Sequence, residues 1–261
     1  MVRDYHMHPQ ILTKPELFAQ FVETARMNGI EEICITDHMP LIGSSAKDRL
    51  PAGSVREYCA TAKRLKEHYR DVLSVKLGIE IDFHPTVTDQ IERVLDEGEF
   101  DWILGSSHLH ALPGLEIVKN CKNGTQYTMK MYENTAAAAE SGWFTAIAHF
   151  DMYRWIFSRP DRFPLEDDGF REEDHKDVID DVLKVIAAKG LRLEINTHFA
   201  VSQEDLSCVY PSPMILNMAA EKGIPFSFGS DAHKPEDVGA LLPELRQSPV
   251  YGKAIRVWEA E

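Results

Sequence analysis

The chain has 261 residues, with 42 Asp+Glu against 28 Lys+Arg for a formal net charge of −14, and 44% of it is hydrophobic. That length suits one large domain or two small ones, and the apolar share is enough for a sizeable core, which excludes a disordered chain. So acidic a protein is a poor partner for phosphate backbones, which need Lys and Arg to displace counterions, so neither nucleic acid nor an anionic membrane is expected as a partner.

No apolar run approaches the ~20 residues of a membrane span. The start, Met1-Val2-Arg3-Asp4-Tyr5-His6, has no apolar h-region, so no signal peptide is expected. Cys34, Cys59, Cys121 and Cys208 form no CxxC pair and are expected as free thiols of a cytoplasmic protein.

Along the chain, a short strand over residues 3–8 precedes a helix over 14–28 that ends at Gly29. The apolar strand 31–36 runs straight into Asp37-His38, and a Gly/Ser/Pro loop over 41–53 leads to a helix over 55–69. A third strand covers 72–81, and residues 88–96 form a helix with Ile91, Val94 and Leu95 on one face. Strand 101–106 is followed by a polar excursion over 113–125 with a turn at Asn123-Gly124. Residues 127–141 are helical, 144–149 form the fifth strand, and 154–171, with Pro160, Pro164 and Gly169, reads as a long loop or lid. Helix 178–188 and strand 191–196 come next, then helix 213–221 and strand 225–229. A short helix over 235–245 and a terminal strand over 254–258 complete the chain.

Strands separated by helices run parallel. Seven such alternations, with no linker between halves, predict one closed or nearly closed α/β barrel spanning 1–261. No Gly-rich phosphate loop follows any strand, which counts against a nucleotide-binding open sheet.

The histidines fall at the strand ends. His6 and His8 end the first strand, Asp37-His38 the second, Glu80 and Asp82 the third, and His108 the fourth. His149 and Asp151 end the fifth, Glu194 and Asn196 the sixth, Asp231 and His233 the seventh. In parallel barrels these ends converge on one mouth, where active sites lie. Residues i and i+2 of a strand point the same way, so His6-Met7-His8 aims two imidazoles into the mouth with Met7 turned away, and Asp231-Ala232-His233 does likewise. This mixed nitrogen and oxygen set suits two or three Zn²⁺, Mn²⁺ or Fe²⁺ ions rather than Ca²⁺ or Mg²⁺.

Taken in order, these motifs resemble the PHP (polymerase and histidinol phosphatase) superfamily. The matching pieces are Asp4-Tyr5-His6-Met7-His8, Thr36-Asp37-His38, Gly78-Ile79-Glu80-Ile81-Asp82-Phe83-His84 and Gly105-Ser106-Ser107-His108. They continue with Ala148-His149-Phe150-Asp151, Glu194-Ile195-Asn196-Thr197 and Gly229-Ser230-Asp231-Ala232-His233-Lys234-Pro235-Glu236-Asp237-Val238-Gly239. The Asp-Phe-His-Pro segment, Val209-Tyr210-Pro211 and the last motif are most similar to stand-alone histidinol-phosphate phosphatases.

The resemblance implies a distorted (β/α)₇ TIM-like barrel with its active site at the C-terminal strand ends. One metal would be held by His6, His8, Glu80 and Asp231, a second by bridging Glu80 with His108 and His149, and a third by His38 and His233. The implied chemistry is phosphomonoester hydrolysis, most readily of histidinol phosphate in histidine biosynthesis, by a hydroxide between the metals. Asp37 or His233 would protonate the leaving group. Two family features are absent: residues 9–14 lack a further histidine, and 196–201 read Asn-Thr-His-Phe-Ala-Val in place of a motif with a phosphate-gripping arginine. Arg154 is the best-placed replacement, with Arg159, Arg162 and Lys234 behind it and His198 as a further substrate contact. The alternatives are a PHP phosphoesterase for another small phosphate, such as a nucleotide or sugar phosphate, and a metal-binding module without turnover.

Overall fold

A computed structural model describes residues 1–44, 48–112 and 120–261. Its seven strands lie in chain order, β1 (Arg3–Asp4), β2 (Glu32–Ile35), β3 (Ser74–Asp82), β4 (Trp102–Ser106), β5 (Ala146–Ile147), β6 (Arg192–Asn196) and β7 (Phe226–Gly229). All six neighbouring pairs are parallel. Tyr5 N–H donates to Phe228 O at 3.0 Å and Met7 bridges Ala232, which brings β7 back against β1. The sheet thus closes into the expected distorted (β/α)₇ barrel.

The helices α1 (Phe18–Met27), α2 (Val55–Tyr69), α3 (Thr88–Glu97), α4 (Gly124–Ser141), α6 (Lys176–Ala188) and α8 (Pro213–Glu221) supply the crossovers that parallel pairing needs. Each lays an apolar stripe on the sheet. In α1 the buried residues are Phe18, Phe21, Val22 and Ala25, and in α6 Ile179, Val182, Leu183 and Ile186, both at i, i+3, i+4, i+7 spacing. α8 starts where Ser212 Oγ accepts from Ile215 N–H with Pro213 in the first turn, and α4 stops at Gly142 with φ +77°. Among the described residues no helix is long and apolar enough to cross a membrane, and all four cysteines are free.

The end of the chain corrects the sequence reading. Residues 254–258 are not a strand but part of α10 (Gly252–Ala260). Ile255 and Trp258, three apart, are buried while Val257 is 52% exposed, so the segment follows the helical period. The helix expected over 235–245 is split: a 3₁₀ turn at Pro235–Asp237 precedes α9 (Leu242–Gln247), because Gly239 and Leu241 both take positive φ. The segment 154–171 opens with most of a short helix, α5 (Tyr153–Phe157), before becoming loop, and another short helix, α7 (His198–Gln203), follows β6. Residues 45–47 of the loop 41–53 and 113–119 of the polar excursion lie outside the described residues.

α10 seals the N-terminal end of the barrel. Trp258 packs edge-on against Tyr5 with ring centroids 5.0 Å apart, and the guanidinium groups of Arg3 and Arg192 lie 4.0 and 5.1 Å from its ring centroid. Trp258→Ala is expected to cost about 3–5 kcal/mol in urea unfolding, the usual loss for a buried aromatic. The opposite end holds the site.

Candidate metal centre

The C-terminal strand ends bring the expected histidines together. Asp231 N–H donates to His6 O at 2.7 Å and His8 N–H to Ala232 O at 2.8 Å, so the His6-Met7-His8 and Asp231-Ala232-His233 segments are zipped side by side. Met7 is fully buried on the far side, as the alternation predicts. His149 and Asp231 sit at φ +26° and +53°, a strained backbone held in place by the surrounding barrel.

Glu80 is the hub. Its Oε1 lies 3.0 Å from His149 Nε2 and 3.7 Å from His108 Nε2. Its Oε2 lies 2.7 Å from His38 Nδ1, 3.4 Å from His8 Nε2 and 3.5 Å from His6 Nε2. Asp231 Oδ1 is 3.1 Å from His8 Nε2 and 3.6 Å from His6 Nε2. Overlapping triads result, including His6–His8–Glu80, Glu80–His108–His149 and His8–His38–His233, with the ligand atoms of each within 4.8 Å of one another.

These donors fit bound cations. His6 Nδ1 lies 2.6 Å from Glu194 Oε1, which makes that nitrogen an N–H donor and turns Nε2 to His8 Nε2 at 3.0 Å, where a cation can take the place of a shared proton. His8 Nδ1 is buried without a hydrogen-bond partner, and the close approaches of His38 Nδ1 to Glu80 Oε2 and of His8 Nε2 to Asp231 Oδ1 lack hydrogen-bond geometry. Buried polar atoms are normally paired, and a positive ion among them satisfies several at once. Burial alone would raise the Glu80 carboxyl, but His38, His108 and His6 hold it well below the usual carboxylate range. Asp231 is likewise held down against burial by His6 and His198.

The centre opens into a cavity of about 600 Å³ with His38, His108, His149, Asp231 and His233 among its walls. The PHP domain profile matches residues 4–198 of this sequence, three quarters of it, and a PHP-associated profile matches residues 214–246. The chain belongs to the PHP family. A probable histidinol-phosphatase from Deinococcus radiodurans is 32% identical to it, with 90% of this chain and 88% of that one aligned. The histidinol-phosphatase of Bacillus subtilis is 28% identical over 91% of this chain and 95% of its own. The crystal structure of histidinol phosphate phosphatase from Lactococcus lactis, complexed with zinc, L-histidinol and phosphate, has the same fold: the TM-score is 0.77 at 21% identity, covering 97% of this chain and 93% of that one.

Behind these candidate ligands stands a layer of carboxylates that the sequence named as strand ends without giving them a task. Glu194 takes His6 Nδ1–H on one oxygen and His149 N–H at 2.9 Å on the other. Asp82 Oδ1 lies 2.7 Å from His108 Nδ1, which turns His108 Nε2 toward Glu80. Such partners fix tautomer and ring orientation. Glu194→Gln is therefore expected to weaken metal binding about 10–100-fold while leaving the circular dichroism spectrum unchanged.

Four of the expected residues have other surroundings. The Asp37 carboxylate accepts from Gln10 N–H at 2.8 Å and Ile11 N–H at 3.1 Å, pinning the loop after β1, and does not line the cavity. Arg154 does not line it either. Its guanidinium pairs with buried Asp151 at 2.9 Å and donates to the carbonyls of Val209 and Ser207. Lys234 is exposed on the turn after β7, and Arg159 lies 4.1 Å over the Trp155 ring; neither lines the cavity. His198 and His233 do, with ring centroids 5.2 Å apart. Arg162 lines it too, and so do Tyr210, named in the sequence only as part of a motif, and Arg49 and His110, which the sequence did not single out. They lie on irregular loops, where no periodicity signals which way a side chain points.

Proposed function

We propose that the protein is a metal-dependent phosphomonoesterase that hydrolyses histidinol phosphate. The observation that carries the reading is the Glu80-centred cluster of buried histidines and carboxylates, with orphaned ligand atoms, at the floor of a cavity on a PHP barrel. The two histidinol-phosphatase relatives, aligned over nine tenths of this chain or more, name the substrate. We also read residues 1–261 as one domain, since β7 lies within the second matched segment and the sheet closes only through it.

When bound, two or three divalent cations such as Zn²⁺, Mn²⁺ or Fe²⁺ supply Lewis acidity, stabilising charge on phosphoryl oxygens and lowering the pKa of water. His6, His8, Glu80 and Asp231 would hold the first cation, Glu80, His108 and His149 the second, and His38 with His233 a third, in keeping with the triads these residues form. Glu194 and Asp82 keep the ligand rings aimed. Cleavage of the P–O bond leaves an alkoxide that needs a proton. Asp37 is turned to backbone amides, so His233 is the expected donor that faces the cavity. In a form with three cations His233 is a ligand, and the neighbouring His198 takes that place.

The rival substrate, another small phosphomonoester, is favoured by one feature: the sixth-strand segment 196–201 carries no arginine. Phosphate release from histidinol phosphate, beside sugar phosphates and nucleotides, separates the two after chelation and re-addition of each metal. Metal-dependent turnover with the highest kcat/KM for histidinol phosphate is expected. A higher value for another ester would replace the substrate, and no turnover with metal bound would leave a binding module.

A further inference from the structure

A phosphate dianion entering an acidic protein needs fixed donors beyond its metal ligands, and a guanidinium fork matches phosphoryl oxygens best. Among the described residues two arginines line the cavity, Arg49 and Arg162. Arg162 is exposed and lies over Trp155 and Phe163, 5.5 and 5.2 Å from their ring centroids. Arg49 is built in. Its side chain is 6% exposed, and its backbone pairs with that of His38 through a parallel bridge closed by Leu50 N–H to His38 O at 3.0 Å. The guanidinium is held through two of its three nitrogens: Nε donates to Ser44 Oγ at 3.2 Å, and Nη1 to the Asp82 carboxylate and, at 3.5 Å, to Met39 O. Asp82 in turn holds His108 at 2.7 Å, so Arg49 stands one carboxylate away from the cluster. Among the described residues nothing accepts from Nη2.

We propose that Arg49 is the substrate's phosphate-gripping residue, its Nη2 donating to phosphoryl oxygens at the cavity wall while Asp82 and Ser44 hold the guanidinium in place. This rests on the phosphomonoesterase reading. It assigns the grip to the loop between β2 and α2, whereas the sequence placed it on Arg154 after β5.

The test is calorimetric titration of inorganic phosphate, and separately of L-histidinol, into the metal-loaded protein and its Arg49→Met and Arg49→Lys variants. Metal content is measured alongside by plasma mass spectrometry. Arg49→Met is expected to weaken phosphate at least tenfold and histidinol less than twofold, with metal content unchanged; Arg49→Lys falls between, since it keeps the charge and loses the fixed direction of Nη2. Phosphate affinity within twofold of the parent in Arg49→Met overturns the proposal. So does loss of metal in that variant, because Arg49 then serves only to neutralise Asp82 and position His108. If Arg49→Met fails to fold, the Arg49→Lys comparison decides alone by the same criterion. Turnover is read independently: a protein inactive on histidinol phosphate that still binds phosphate through Arg49 retires the substrate and keeps the anion site.

Discussion

Glu80→Gln is expected to abolish metal loading and lower kcat/KM for histidinol phosphate by about 10³-fold or more, at or beyond the upper end of what one electrostatic contact is worth. The substitution keeps the volume and removes the charge. Five imidazoles, those of His6, His8, His38, His108 and His149, lie within 3.7 Å of the two Glu80 oxygens. A glutamine also turns two N–H donors toward ring nitrogens and any cation between them. The metal-free protein carries a second signature. Burial depresses His38, but Glu80 outweighs it and raises the imidazole from 6.5 to about 9. That pairing stabilises the metal-free fold fully below pH 6.5 and is lost as pH rises through about 9. In Glu80→Gln the loss over that window disappears, which urea unfolding of chelated protein across pH measures.

Gly229→Ala is the second large effect. A Cβ at this position falls 2.2 Å from Glu194 Oε1 and 2.4 Å from His6 Cβ, closer than real Cβ atoms come. The barrel either spreads at the β7–β1 seam or pushes Glu194 off His6. Overpacking of this kind costs about 1–3 kcal/mol, and loss of the Glu194 contacts weakens metal binding about 10–100-fold. Thermal melts of the chelated protein read the first component, and metal titration reads the second. An alanine variant that loads metal like the parent would show that the seam has slack and that Glu194 does not depend on Gly229.

The convergence of histidines and carboxylates was legible because strand alternation fixes side-chain direction. Once His6 and His8 lie on one strand they must share a face, and parallel strands must deliver their ends to one mouth. The barrel followed from the same strand–helix alternation. What was not legible depends on partners far away in sequence. Arg154 looked like a free cation beside the fifth strand until Asp151, Ser207 and Val209 were seen to claim it. Asp37 looked like a proton shuttle, yet its lone pairs go to Gln10 and Ile11. The 254–258 segment was too short for periodicity to separate a strand from a helix, and burial of Ile255 and Trp258 three apart settles it.

The proposed reaction requires the buried cluster to be a metal centre. Anomalous diffraction from crystals grown with Zn²⁺ or Mn²⁺ tests that directly. Two or three peaks are expected, one among His6, His8, Glu80 and Asp231, and one among Glu80, His108 and His149. The ligand distances should be about 2.0–2.2 Å for zinc. Full occupancy of those positions would place the reaction where the strand ends converge. Well-ordered crystals with no peak beside Glu80 would contradict the account, leaving the histidines as a polar core hydrogen-bonded to Glu80 and Glu194.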